Sequence, residues 1–344
     1  MPFEILEIQE PVHKEVPVRS AKESVVYDQN LADSGARNFG IERSDGSGTL
    51  GSRKRESVAS LLILLNSPKK ISIIFEEALM EVFDIHHHLG SLTGGSLQDE
   101  EGWQDRDYSN RVRIMQANGV TMAAILAATG YIQADGIKDT MRSNDTVSAY
   151  RNRDPKRFPV ACGTVEPLHG ARSLDELERI KHELHLEGVV WHNRFQGVAI
   201  DHQLMRPLLK KVSELGLVPL IHTNAESNME AVWRLERLAL EFPELTFVAM
   251  DALTTNVNSQ LVLDIAKRTP NILFDTAHIR SSAYIRQFVE TVGSRRLIFG
   301  SLFYSYPASY ERCASLEEVK TAKISDEDML SILSLNAKRL FRLK

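Results

Sequence analysis

From Val82 onward the chain alternates short apolar, β-branched runs with longer amphipathic stretches, and that alternation leaves few folds open. An apolar run of four to eight residues reads as a strand buried on both faces, and the amphipathic stretches read as helices covering a parallel sheet. Eight such runs occur: Val82 to His86, Val120 to Ala127, Phe158 to Val165, Gly188 to His192, Val218 to His222, Leu245 to Met250, Asn271 to Phe274 and Arg296 to Gly300. Helical patterns lie between them, among them Leu174 to Leu186, Gln203 to Leu215, Met229 to Phe242, Gln260 to Arg268 and Ala283 to Val292. Eight βα units favour closure into a (β/α)8 barrel. The competing open, doubly wound sheet would bring a glycine-rich phosphate loop after its first strand, and no GxGxxG is present.

Punctuation supports the count. Ser173-Leu174-Asp175-Glu176 offers a cap donor and first-turn acids, Gly216 closes the helix before the fifth strand, and Pro243 ends the next helix. Residues 81–344 form the barrel in this reading, and residues 1–80 form an N-terminal extension. Its stretch from Ala32 to Ser57 is rich in Gly, Ser, Asp and Arg without hydrophobic periodicity, and its Ser60 to Leu65 run is too short to span a bilayer.

A hydrophobic content of 43% with 25% charged residues is that of a globular protein with a sizeable core. The net charge of −5 and dispersed Lys and Arg give no basic field for nucleic acid, and no run is long enough for a membrane span. Cys162 and Cys313 make no CxxC pair, which points to a reducing, cytoplasmic interior, with Cys162 a buried small hydrophobe. A homodimer is the expected assembly.

In a parallel barrel the active site is built at the carboxyl ends of the strands. Here those ends carry His86-His87-His88, Glu166, His192, His222, Asp251 and Asp275. Ionisable groups at so many tips are costly unless paired or metal-bound. Side chains two apart on a strand share a face, so His86 and His88 can converge on one ion while His87 points the other way. With His222 at the end of the fifth strand, three imidazoles nearly complete a four-coordinate, zinc-like site whose last position would hold water or a substrate oxygen. His192 is a candidate proton donor or acceptor, and Arg194 a candidate clamp for a substrate carboxylate. Asn224, just past His222, and Glu166 join Arg194 as candidate contacts to a small-molecule substrate.

With these residues assembled, the chain from about Val82 to Leu343 resembles the amidohydrolase superfamily, and within it the amidohydrolase-2 group that includes aminocarboxymuconate-semialdehyde decarboxylase-like enzymes. The resemblance rests on Asp84-Ile85-His86-His87-His88 as the first-strand HxH, the Gly188 to Gly197 segment, and His222 as the fifth-strand histidine. It rests also on Arg296 to Ser301 as the eighth strand and Leu335 to Phe341 as the closing helix. It implies a distorted (β/α)8 barrel, a divalent metal, often zinc, and hydrolysis or non-oxidative decarboxylation of small carboxylated, often aromatic-derived, substrates.

Two positions depart from the family pattern. A histidine common after the sixth strand is replaced in Ala249-Met250-Asp251-Ala252, and the Gly-Ser/Thr-Asp of the eighth strand reads Gly300-Ser301-Leu302-Phe303. In the family that aspartate binds the metal and takes a proton from the attacking water. Leucine can do neither, and a hydrolytic rate falls by ~10²–10⁴ without a positioned base. Asp251, Asp275 and Glu166 are the available substitutes. Three functions follow: a metal-dependent hydrolase using Asp251 or Asp275 as base, a decarboxylase in which His192 or Asp251 protonates carbon, and a catalytically impaired barrel.

Overall fold

The computed structural model describes residues 80–90, 101–128, 135–224, 226–305 and 311–343. The readings made for residues 1–79 lie outside these. Eight parallel strands in sequential order make the sheet: β1 Phe83–Leu89, β2 Met122–Ala127, β3 Val160–Gly163, β4 Gly188–Trp191, β5 Val218–His222, β6 Phe247–Met250, β7 Ile272–Asp275 and β8 Leu297–Ile298. Among the strand residues only Met122 and Val218, each the first of its strand, escape full burial, as expected when side chains fill the barrel on one face and meet helices on the other.

Closure does not rely on β8, which has two residues where the sequence suggests five. The chain beyond it returns to the first strand. Ile85 N–H donates to the Phe299 carbonyl at 3.0 Å, Phe303 N–H to the His86 carbonyl at 2.9 Å, and His88 N–H to the Phe303 carbonyl at 2.7 Å. The same bonds explain why β1 runs past His86 to Leu89: Ala127 pairs with it on one side and Phe303 on the other. The three histidines therefore lie within the strand and not beyond its end. A register shift between Asp84 and His87 bends the strand locally.

Helices fill the intervals: α1 Trp103–Asn118, α2 Ile137–Arg153, α3 Ala171–His182, α4 Met205–Leu215, α5 Val232–Glu241, α6 Asn256–Arg268, α7 Ser282–Thr291 and α8 Ala314–Lys320, followed by a closing helical segment over 326–340 with a π turn at Ser331–Leu335. Gly216, at φ 61°, takes the left-handed conformation that ends α4, and α5 stops at Glu241, directly before Phe242-Pro243. One boundary reading is corrected. Gly170, not Ser173, precedes the first turn of α3, and the Ser173 hydroxyl donates instead to the Glu166 carbonyl at 2.6 Å. No helix among the described residues is long and apolar enough to cross a membrane.

Cys162 is fully buried, with burial pushing its thiol pKa well up, in keeping with its reading as a small hydrophobe. It packs beside Gly188, where the barrel wall has no room for a side chain. A Cβ there would sit 2.7 Å from the Val218 carbonyl oxygen and 2.9 Å from Cys162 Sγ. Gly188→Ala is expected to cost roughly 1–3 kcal/mol through overpacking, read as a lower urea midpoint with an unchanged slope.

Candidate metal centre

Three imidazoles meet inside the mouth of the barrel. His88 Nε2 lies 3.1 Å from His86 Nε2 and 3.1 Å from His222 Nε2, and all three rings are completely buried. What makes this arrangement unusual is the other nitrogen of each ring. His86 Nδ1 is 2.6 Å from Asp275 Oδ2, His222 Nδ1 is 2.7 Å from Asp251 Oδ2, and His88 Nδ1 is 3.1 Å from the Ala127 carbonyl oxygen. Carboxylates and a carbonyl only accept, so each Nδ1 carries the proton and each Nε2 presents a lone pair to the other two.

Three converging acceptors repel unless a cation stands among them. Burial and the neighbouring imidazoles hold His88 well below the usual histidine range, and burial together with His192 brings His222 down to about 4, so both rings are neutral and ready to ligate. His86 alone is raised. Burial works against its charged form, but the hydrogen bond and charge of Asp275 outweigh it. The donor set thus fits a divalent ion held by His86, His88 and His222.

The carboxylates form a second layer. Asp275 Oδ1 accepts the Asp251 N–H at 2.9 Å while its Oδ2 holds His86, which makes one chain running His86, Asp275, Asp251, His222 across four strand ends. Burial opposes the Asp251 charge, yet the His222 hydrogen bond and the surrounding imidazoles keep its carboxylate well below the ordinary range. Asp251 and Asp275 are therefore brought to the site, but as groups that orient imidazoles. Asp251 Oδ1 has no hydrogen-bond partner among the described residues and faces His278 Nε2 at 3.6 Å.

His192, just beyond β4, lies flat on His222, with ring centroids 4.1 Å apart and planes 8° from parallel. Burial drives its pKa to about 3, so it too is neutral. Its Nδ1 is 2.6 Å from Glu230 Oε1. Arg194 spans the same carboxylate: its N–H donates to Glu230 Oε1 at 3.0 Å, its Nε stands 3.5 Å from Oε2, and its guanidinium stacks on Phe195. Asn224 and Glu166 stand outside the imidazole cluster. Asn224 spends its side-chain oxygen on the Glu226 N–H at 2.8 Å, and Glu166 makes no contact with the imidazoles, though burial lifts its pKa to about 7.

Several residues of the site escape a reading of strand tips. Asp84 Oδ1 accepts both His86 N–H and Ser301 N–H, and its Oδ2 meets His87 Nε2 at 3.0 Å, tying the first strand to the loop after β8. Arg111 on α1, fully buried and paired with Asp107, donates to the His88 carbonyl at 2.9 Å and to Ser305 Oγ at 3.0 Å. Tyr304 stacks on His88 with centroids 4.5 Å apart. Asp84 was visible in the motif; Glu230 was hidden inside an expected helix.

The amidohydrolase family, in its second group, matches residues 83–343. The chain belongs to that family. No curated relative matches it. Among solved structures, 5-carboxyvanillate decarboxylase from Sphingomonas paucimobilis is similar at a TM-score of 0.61 and 19% identity, over 77% of this chain and 100% of that one. A 2,6-dihydroxybenzoate decarboxylase from Rhizobium gives 0.57 and 16%, over 77% and 99%. A dihydroxybenzoic acid decarboxylase from Polaromonas sp. JS666, with bound manganese and 2-nitroresorcinol, gives 0.60 and 15%, over 77% and 97%. At these identities the likeness is one of fold.

Elemental analysis of this amidohydrolase should find about one divalent ion per chain, lost in His88→Ala. Asp275→Asn, which leaves the three ligands in place but loosens His86, should weaken metal affinity ~10–100-fold, measured by competition with a chelating dye.

Proposed function

We propose that the protein is a metal-dependent, non-oxidative decarboxylase of a small hydroxylated aromatic acid, or of an acid derived from one. The reading rests on one pairing: a complete imidazole trio, with Leu302 where the family places its water-activating aspartate. Hydrolysis needs a carboxylate placed to take a proton from water; both oxygens of Asp275 are engaged, and Asp251 holds His222 with one oxygen and faces His278 with the other. Decarboxylation uses no hydrolytic water. Family membership and the decarboxylases among the structural neighbours support the same choice.

A divalent ion, zinc or manganese, held by His86, His88 and His222 would supply Lewis-acid polarisation of a substrate oxygen. The chain's own residues do the rest. The half-exposed Arg194 fork faces the carboxylated ring, its charge partly answered by Glu230. That moderation matters, because a guanidinium gripping the carboxylate too tightly would stabilise the ground state whose charge is lost as carbon dioxide leaves. His192 Nε2 takes the proton of a ring hydroxyl and returns it to the ring carbon that bears the carboxylate. The bond from that carbon to the carboxylate then breaks, its electron pair restores the aromatic ring as a phenolate, carbon dioxide departs, and solvent supplies the final proton. The net change is one proton consumed and one carbon dioxide released.

Metal-loaded protein is expected to release carbon dioxide from at least one member of a panel of dihydroxybenzoates, carboxylated methoxyphenols and muconate-like acids. Arg194→Ala should raise KM by ~10–100-fold, the loss of a hydrogen bond to a charged group worth ~1.5–3 kcal/mol, with a smaller effect on kcat. A silent panel, with turnover of amide or lactone substrates instead, would overturn the proposal in favour of hydrolysis.

A further inference from the structure

The Glu230 carboxylate is completely buried although it belongs to the loop between β5 and α5, where a short turn exposed to water would cost nothing. Burial raises its pKa, and the fold answers with two hydrogen bonds, from the Arg194 N–H and from His192 Nδ1, and with the charge of the Arg194 guanidinium, whose Nε stands 3.5 Å from Oε2. The contact with His192 is the shortest, at 2.6 Å. On the imidazole side, His222 covers one face of His192 at 4.1 Å, Phe195 crowds it at 4.2 Å, and Glu230 closes the Nδ1 edge. The Nε2 edge remains. Among the described residues it meets no hydrogen-bond partner, and His192 keeps 3% of its surface open where His222 keeps none.

We propose that Glu230 is a positioning residue that locks His192 in the Nδ1–H tautomer, so that Nε2 faces the substrate as a bare lone pair at a fixed distance from the metal-binding imidazoles. A buried carboxylate cannot donate, so a proton on Nδ1 is the arrangement that satisfies both groups; were the proton on Nε2, two lone-pair bearers would stand 2.6 Å apart in a sealed site. The stack on His222 fixes the tilt of the ring, and Glu230 fixes its rotation. Together they aim one nitrogen. The proposal deepens the decarboxylase reading and rests on it for the role of Nε2, while the tautomer itself is independent of any substrate.

The test is nitrogen-15 NMR of the full-length, zinc-loaded protein labelled at histidine, with His192 assigned by comparison with His192→Gln. The non-protonated ring nitrogen of His192 is expected to be Nε2, recognised by its couplings to both ring carbon-bound protons. In Glu230→Leu the proton should move to Nε2, where it can reach water, and kcat should fall ~10²–10⁴-fold with KM and bound zinc little changed. Finding Nε2–H in the wild type would overturn the proposal without any variant, so a Glu230→Leu protein that fails to fold does not rescue it. Retention of Nδ1–H in Glu230→Leu, or loss of zinc in step with activity, would overturn it as well. Absence of carbon dioxide release would reject the reaction class alone, because the tautomer is read without turnover.

Discussion

Two aspartates that touch no exposed surface of consequence govern this site. Asp275 holds the Nδ1 proton of His86 with one oxygen and the backbone N–H of Asp251 with the other, and Asp251 in turn holds His222. Remove the negative charge from that chain and the imidazoles are free to rotate and to exchange tautomers, and the convergence of Nε2 lone pairs is lost. In a low-dielectric interior each link is stronger than it would be in water and each missing link costs more. The metal-binding character of the trio is thus a property of its supports as much as of the histidines.

The backbone is bent to make this possible. Asp251, His278 and Leu302 all have φ near 60°, a left-handed conformation that non-glycine residues enter at a cost of ~1–3 kcal/mol. They follow β6, β7 and β8 in turn, the loops that carry the carboxylate layer and the closing contact to β1. Glycine serves where there is no room at all: a Cβ at Gly300 would fall 2.9 Å from Asp275 Oδ2 and 3.0 Å from His86 Cβ. Strain at the rim is offset by a barrel wall whose strands are almost wholly buried, and by Arg111, which fastens the His88 carbonyl to the segment after β8.

The replacement of a carboxylate by Leu302 takes on meaning only beside these contacts. Of the remaining acids, Asp251 and Asp275 each hold a ring nitrogen of the trio, and Glu166 makes no contact with it. A site whose metal-facing imidazoles are tied to carboxylates, with a guanidinium and the lone pair of His192 beside them, is better suited to moving a substrate's own proton than to activating water.

Much of this was legible in the sequence. The apolar runs gave eight strands in order, because burial on both faces leaves an unbroken hydrophobic signature, and the period-two spacing of His86 and His88 gave their common face. The strand-end rule then collected His192, His222, Asp251 and Asp275. What the sequence could not order was the set of partnerships: which carboxylate meets which nitrogen depends on the stagger of neighbouring strands and on loops such as that carrying Glu230, whose pattern reads as the start of a helix. Asn224 shows the same limit in reverse, since a polar residue beside His222 turned out to serve its own turn. Periodicity is a local property and survives in the linear chain. Hydrogen-bond direction at a ring nitrogen is settled by atoms from four separate strands, and only the closed barrel brings them within reach of one another.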